Sequence, residues 1–279
     1  MTPCISQVTT LSTPFEADLP AFARSGWSAV ELWLTKLETF LQSHPIAEAR
    51  SLLDGEGLTP AAAAGQGGLL LSRGAERALT WDHFRRRLEA LAELGVPTLV
   101  VAADSGGEPT HETYNRAAES LAEAAALAGP LGVRLALEFV KTSRFCASLD
   151  TALALIARAD GDNLGVCLDL FHYETGPSKP GDLAYLNPAN LAWVQVSDLG
   201  GVPREAAGDA DRVLPGDGDI AAGPILGHLR RVGYDGFVSL EVLNPELWRV
   251  PAGHLADLGR RATARLLEAG RVEDPSGGP

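Results

Sequence analysis

VRLALEFV, residues 133–140, is an apolar, β-forming run that carries one carboxylate, Glu138, near its C-terminal end. An unpaired carboxylate in such a run would cost several kcal/mol, so its presence implies a partner that offsets the lost hydration. The arrangement recurs downstream. LGVCLDL (164–170) carries Asp169, LAWVQV (191–196) carries Gln195 and GFVSLEV (236–242) carries Glu241. Four polar residues at the ends of successive strands point to one divalent cation shared among them.

Upstream, strand-like runs occupy residues 4–10, 29–34, 58–64 and 98–103, the third containing the alanines 61–64. Helix-period segments lie between the runs. Residues 81–94 end at Gly95 as a C-cap, and 111–128 end near Gly129 and Pro130. Eight strand–helix units of about 35 residues follow one another with no linker. That alternation predicts an α/β fold, a parallel (β/α)8 (TIM) barrel with outer helices, as one domain over residues 1–272. Residues 273–279, carrying Pro, Ser and Gly, read as a disordered tail. In such a barrel, catalytic groups project from strand C-termini, which is where Glu138, Asp169, Gln195 and Glu241 fall.

The bulk composition narrows the partners. With 279 residues and 46% hydrophobic content the chain can bury a large core. Its net charge of −13 opposes a phosphate-neutralising surface, so nucleic acid is not expected. No basic n-region with a following apolar stretch opens the chain, and no apolar run nears the roughly 20 residues that span a bilayer. A soluble cytoplasmic protein, free of membrane and able to form a homo-oligomer, is expected. Cys4, Cys146 and Cys167 show neither CxxC nor CxxH spacing and read as buried thiols.

Three carboxylates and the Gln195 amide oxygen form a hard donor set that favours Mn²⁺ or Mg²⁺, with Co²⁺ or Zn²⁺ less suited. Glu138 and Glu241, in the matching contexts ALEFV and SLEVL, could bind the ion and still exchange protons. The competing reading pairs each acid with a nearby base, Glu138 with Lys141 or Arg144 for example. His172, three residues after Asp169, brings an imidazole to the same strand end as a catalytic or substrate-facing group. The loop DRVLPGDG (211–218) can present Arg212 to substrate oxygens, unless Arg212 only pairs with Asp211 or Asp217. In VELWLTK (30–36), Trp33 offers a face to a sugar or cyclitol ring, or merely packs, and Lys36 could polarise an oxygen. Lys141, just beyond the fifth run, joins Arg212, Trp33 and Lys36 as a substrate-binding candidate. The glycine-rich segments 65–68 and 216–218 lack a nucleotide-binding pattern, and no Gly-x-Ser-x-Gly elbow is present.

LEFV (137–140), DNLGVCLDLFHY (162–173), DRVLPGDGDI (211–220) and VSLEVLNPELW (238–248), in that order, resemble the xylose-isomerase-like barrel superfamily of sugar isomerases and epimerases. Within it they are most similar to the inosose (2-keto-myo-inositol) isomerases. The resemblance covers residues 130–268 well and the first half loosely. It implies that Glu138, Asp169, residue 195 and Glu241 bind the metal, that His172 lies beside it, that Arg212 meets the substrate, and that the two glutamates act as acid and base. Inosose isomerases and ketose epimerases usually carry histidine at the position of Gln195. Glutamine there is similar to the metal-dependent dehydroshikimate dehydratases. An apurinic-site endonuclease shares the barrel, but the acidic chain and Trp33 and alanines at strand ends two and three oppose that activity. The expectation is a metal-dependent isomerase or epimerase of a keto-sugar or keto-cyclitol acting through an enediolate. A dehydratase of the same enolate chemistry and a non-catalytic binding barrel are the alternatives.

Overall fold

Short runs of Val, Leu, Ile and Ala extend as strands, and the amphipathic stretches between them coil into helices that bury an apolar stripe on the strands' outer face. The computed structural model describes residues 1–272; the tail expected from residue 273 lies outside the described residues. In chain order the elements are β1 (Thr2–Ser6), α1 (Phe15–Arg24), β2 (Ala29–Trp33), α2 (Leu34–Leu41), α3 (Ile46–Gly55), β3 (Thr59–Gln66), α4 (Gly74–Leu94), β4 (Thr98–Ala102) and α5 (His111–Ala128). They continue with β5 (Arg134–Glu138), α6 (Leu149–Ala159), β6 (Leu164–Asp169), α7 (Leu170–Thr175), β7 (Leu191–Val196), β8 (Asp198–Leu199), β9 (Arg212–Val213), α8 (Ala222–Arg231), β10 (Phe237–Leu240) and α9 (Ala252–Val272).

Eight strands close a parallel barrel in the order β1-β10-β7-β6-β5-β4-β3-β2. The remaining two, β8 and β9, pair as a short antiparallel ribbon at its mouth. This is the TIM barrel that the strand–helix alternation predicts. Its large apolar core lies between strands and helices. A smaller cluster containing Cys4, Ala29, Ala64, Val100, Ala136, Cys167 and Trp193 fills the lumen. All three cysteines are buried and free, as expected. No helix among the described residues is long and apolar enough to cross a membrane.

Several boundaries differ from expectation. α4 begins at Gly74, ahead of the expected residue 81, and ends as foreseen at Gly95, whose φ of 74° is left-handed. β1 stops at Ser6, and residues Gln7–Thr10 form a 3-10 turn instead of extending the strand. The cause is a polar knot. Asp18 on α1 accepts from Thr10 Oγ1 at 2.7 Å, Gln7 Nε2 at 3.3 Å and Lys36 Nζ at 2.5 Å. Lys36 Nζ also donates to the Thr10 carbonyl at 2.7 Å, which closes the turn. Burial pushes the Asp18 carboxyl up to about 7, against Lys36 and the hydroxyl and amide donors, and lowers Lys36. Removing one partner of a pair this buried strands the other, so Asp18→Ala should destabilise the fold by about 3 kcal/mol, read from the urea unfolding midpoint. An unchanged midpoint would deny the knot its structural weight.

Candidate metal centre

Strand alternation places residues i and i+2 on the same face, so the lumen collects Ala136 and Glu138 from β5, Cys167 and Asp169 from β6, and Trp193 and Gln195 from β7. The register sets Glu138 beside Cys167, Asp169 beside Gln195, and Gln195 beside Ser239. Glu241 follows the last residue of β10. Glu138, Asp169, Gln195 and Glu241 are therefore gathered at the C-terminal mouth and are all buried.

Asp169 closes β6 and caps α7: its Oδ1 accepts from the Phe171 amide at 2.8 Å, and its Oδ2 accepts from Arg212 Nη2 at 2.7 Å. That cap points the first turn of α7 inward and brings His172 over the site. Its Nε2 stands 3.7 Å from Glu138 Oε1, 3.8 Å from Asp169 Oδ2 and 3.4 Å from Arg212 Nη2. The buried Nδ1 has no hydrogen-bond partner among the described residues. Glu138, Asp169 and His172 each offer a ligand atom within 4.8 Å of one another. The expectation held His172 as a neighbour of the metal; by position it is also a candidate ligand.

Arg212 is 1% exposed, delivered by the β8–β9 ribbon, in which Leu199 pairs with it. Asp198 knots the loop beyond by accepting from the amides of Leu199, Gly216 and Ile220. A Cβ on Gly218 would overlap the Leu199 carbonyl, so this turn requires glycine. The guanidinium lies 4.3 Å above the Phe171 ring and contacts Asp169, Asp209 (3.1 Å) and Glu241 (3.5 Å). Its partner in the loop is thus Asp209, not Asp211 or Asp217.

Glu31, Glu138, Asp169 and Glu241 are four buried carboxylates, and the Arg212 guanidinium contacts Asp169 and Glu241. Burial pushes Glu138 and Glu241 well above the ordinary glutamate value; Asp169 adds to the rise in Glu138, and Arg212 opposes both shifts. Burial would also raise Asp169, but the charges of Arg212 and His172 and the hydrogen bonds from Arg212 and the Phe171 amide hold it below its usual value. Burial pushes His172 down to about 4, so its imidazole is neutral at pH 7. The Glu138 carboxylate accepts no hydrogen bond among the described residues, and neither suggested base reaches it. Lys141 Nζ donates to the Ala207 and Arg204 carbonyls at 2.6 and 3.3 Å, and Arg144 pairs with Glu108 at 2.5 Å. Surplus buried negative charge with an unpartnered carboxylate fits a divalent cation held by Glu138, Asp169 and Glu241.

Four other expected site residues make contacts of their own. Lys36 is held by Asp18 and the Thr10 carbonyl, and Lys141 by loop carbonyls, so the partners of each ammonium are groups other than Glu138, Asp169 and Glu241. Trp33 is half-buried at the end of β2, its ring 3.5 Å from where a Cβ on Gly65 would stand, packed against the lumen's apolar cluster. Gln195 is in the site, yet its Nε2 faces Glu31 (2.8 Å) and Glu241 (3.0 Å), while its oxygen accepts from Cys167 Sγ at 3.0 Å. The expected amide oxygen is therefore turned toward the thiol. Glu31 was absent from the expected site. It is 0% exposed, its Oε2 accepts from Ser239 Oγ at 2.6 Å, and burial pushes its carboxyl up to about 7. Its signal was present: Val30 and Leu32 flank it as Leu137 and Phe139 flank Glu138.

The family described as xylose isomerase-like TIM barrel matches residues 19–265. The inosose isomerase of Halalkalibacterium halodurans is 25% identical over 272 residues, covering 95% of either chain. That of Bacillus velezensis is 26% identical over 272 residues, covering 95% of this chain and 96% of its own. The crystal structure of an IolI protein with a bound zinc atom shares the fold at a TM-score of 0.90 and 23% identity, over 96% of this chain and 98% of that one.

Proposed function

The chain belongs to the xylose isomerase-like TIM barrel family, and from that premise we propose that it is a divalent-metal-dependent isomerase or epimerase of a keto-sugar or keto-cyclitol. The observation that carries the reading is the gathering of Glu138, Asp169 and Glu241 around one buried guanidinium at the barrel mouth. The inosose isomerase relatives support a cyclitol or sugar ketone as the substrate class.

Glu138, Asp169 and Glu241, with the oxygen of Gln195, would hold the metal, which supplies Lewis-acid stabilisation of the oxyanions that develop when a proton α to a carbonyl is lost. Oxygen donors favour Mn²⁺ or Mg²⁺; participation of the His172 nitrogen widens the choice to Co²⁺ and Zn²⁺. One of Glu138 and Glu241 removes and keeps the α-proton, and the other, or His172, gives up a proton of its own to the neighbouring carbon in an isomerase or to the opposite face of the same carbon in an epimerase. Burial gives both glutamates a raised proton affinity, which suits groups that must take a proton and release it again. Arg212, fixed by Asp169 and stacked on Phe171, orients substrate oxygens.

Turnover tests the proposal. Protein stripped of metal and then given Mn²⁺ should convert 2-keto-myo-inositol, or one of a set of ketohexoses, to an isomeric ketone seen by carbon NMR. Appearance of an enone by ultraviolet absorption would instead identify a dehydratase, the reading that Gln195 favours. No metal uptake and no turnover on any of these would leave a binding barrel. Loading also has a proton signature. Because burial raises the proton affinity of Glu138 and Glu241, protons compete with Mn²⁺ for them, so its affinity should fall as the pH falls. Calorimetry in buffers of differing ionisation enthalpy should show buffer-dependent heats; heats independent of buffer would contradict proton release.

A further inference from the structure

Glu31 lies beside Ser6 on the inward face of β2, beneath the mouth and fully buried. The proton chemistry proposed above does not use it. A carboxylate is expensive to bury in a barrel lumen unless its oxygens are engaged, and both of these are: Oε2 accepts from Ser239 Oγ at 2.6 Å and Oε1 from Gln195 Nε2 at 2.8 Å. Both donors belong to the metal centre's own strands. Ser239 stands two residues before Glu241 and next to Gln195 in the β10–β7 register.

Gln195 has two unlike ends, and only its oxygen can ligate a cation. Its nitrogen can only donate. Glu31 therefore fixes Nε2 whether or not Glu31 shares a proton with Ser239, and the second Nε2 hydrogen goes to Glu241 Oε1 at 3.0 Å. The oxygen is held far less firmly. Its partner is the Cys167 thiol at 3.0 Å, a weak donor lying two residues before Asp169. Of the two ends, the oxygen is the one an ion can claim without breaking a strong contact. We infer that Glu31 is a positioning residue: by tethering the Gln195 nitrogen it reserves the Gln195 oxygen for the divalent cation, and Ser239 holds Glu31 in that posture. The inference rests on the metal-dependent reading above.

Outer partners that orient a metal ligand are typically worth about 10- to 100-fold in metal affinity. Mn²⁺ affinity, measured by calorimetry and by the electron paramagnetic resonance signal of free Mn²⁺, is compared in wild type, E31L, E31Q, Q195A and the E31L/Q195A double variant. E31L should bind Mn²⁺ about 10- to 100-fold more weakly. E31Q can still accept the Gln195 hydrogen through its amide oxygen while donating to Ser239, and should stay within a few-fold of wild type. In the Q195A background E31L should cost nothing further, because its effect runs through the amide. Metal-free melting curves report whether each variant folds; if E31L does not, E31Q and a milder E31M carry the comparison. Wild-type affinity in E31L, a full loss in E31Q, or an undiminished E31L effect without Gln195 would overturn the inference. Absence of Mn²⁺ binding by the wild-type chain would overturn the metal reading and this inference with it, whereas normal wild-type binding combined with an unaffected E31L removes only the inference.

Discussion

Glu138→Gln should lower kcat by about 1,000-fold, the range expected for loss of a general acid–base group, while making the metal-free protein more stable at neutral pH. The two effects share one cause. Burial and the neighbouring Asp169 raise the Glu138 carboxyl well above its ordinary value of 4.5, so the folded chain binds that proton more tightly than the unfolded chain does. Stability from this group is whole below the ordinary value and is lost as the pH rises through the raised one. E138Q has no proton to lose and keeps that stability. Opposed changes in activity and stability mark a residue retained for function at the expense of the fold. Unfolding curves of stripped protein and steady-state rates of Mn²⁺-loaded protein measure the two sides. Full activity in E138Q would remove Glu138 from the chemistry, and a less stable E138Q would contradict its unpartnered burial.

Arg212→Met should act in the opposite sense on the empty fold. Arg212 is the one cation in contact with Asp169 and Glu241 among the described residues, and both carboxylates are buried. Methionine fills much of the same volume and leaves their charge uncompensated, which should cost the metal-free protein about 3–5 kcal/mol. Mn²⁺ should restore more stability to R212M than to wild type. Binding stabilises the fold by about 4 kcal/mol at a free concentration near 1,000 times Kd. R212M gains more at the same concentration because removing a guanidinium from beside the site removes repulsion of the incoming cation and lowers Kd. Turnover should still fall sharply, since substrate loses its oriented donor. Thermal unfolding of both proteins with and without Mn²⁺ reads the difference. Equal stability of the stripped proteins would mean that the guanidinium does not balance the carboxylates.

The barrel was legible because each of its later units ends in a polar residue that an apolar strand would not otherwise tolerate. LEFV and LDLF state both the strand and the site, since the acid and the flanking core residues are neighbours in sequence. What escaped depends on contacts between distant segments. The end of β1 is set by Asp18 on one helix and Lys36 on another, and no local pattern couples them. The same ion pair takes Lys36 away from the substrate set. The β8–β9 ribbon is only two residues wide on each side, too short to leave a periodic trace, although DRVLPGDG did indicate a turn that presents Arg212. Glu31 had the right flanks but lies in the loosely matched first half, and its meaning emerges only when β2 and β7 face each other across the lumen. The orientation of the Gln195 amide is likewise a property of its three neighbours, Glu31, Glu241 and Cys167, and not of LAWVQV.

The central claim is that glutamates at the mouth of this barrel abstract a proton α to a ketone, and proton NMR of Mg²⁺-loaded protein with 2-keto-myo-inositol in D₂O tests it most directly. Deuterium should enter the carbon next to the carbonyl and appear in an isomeric ketone, and the exchange should vanish in E138Q and after metal removal. Exchange that persists unchanged in E138Q, or no exchange with this cyclitol or with any keto-sugar offered at saturating metal, would contradict the account.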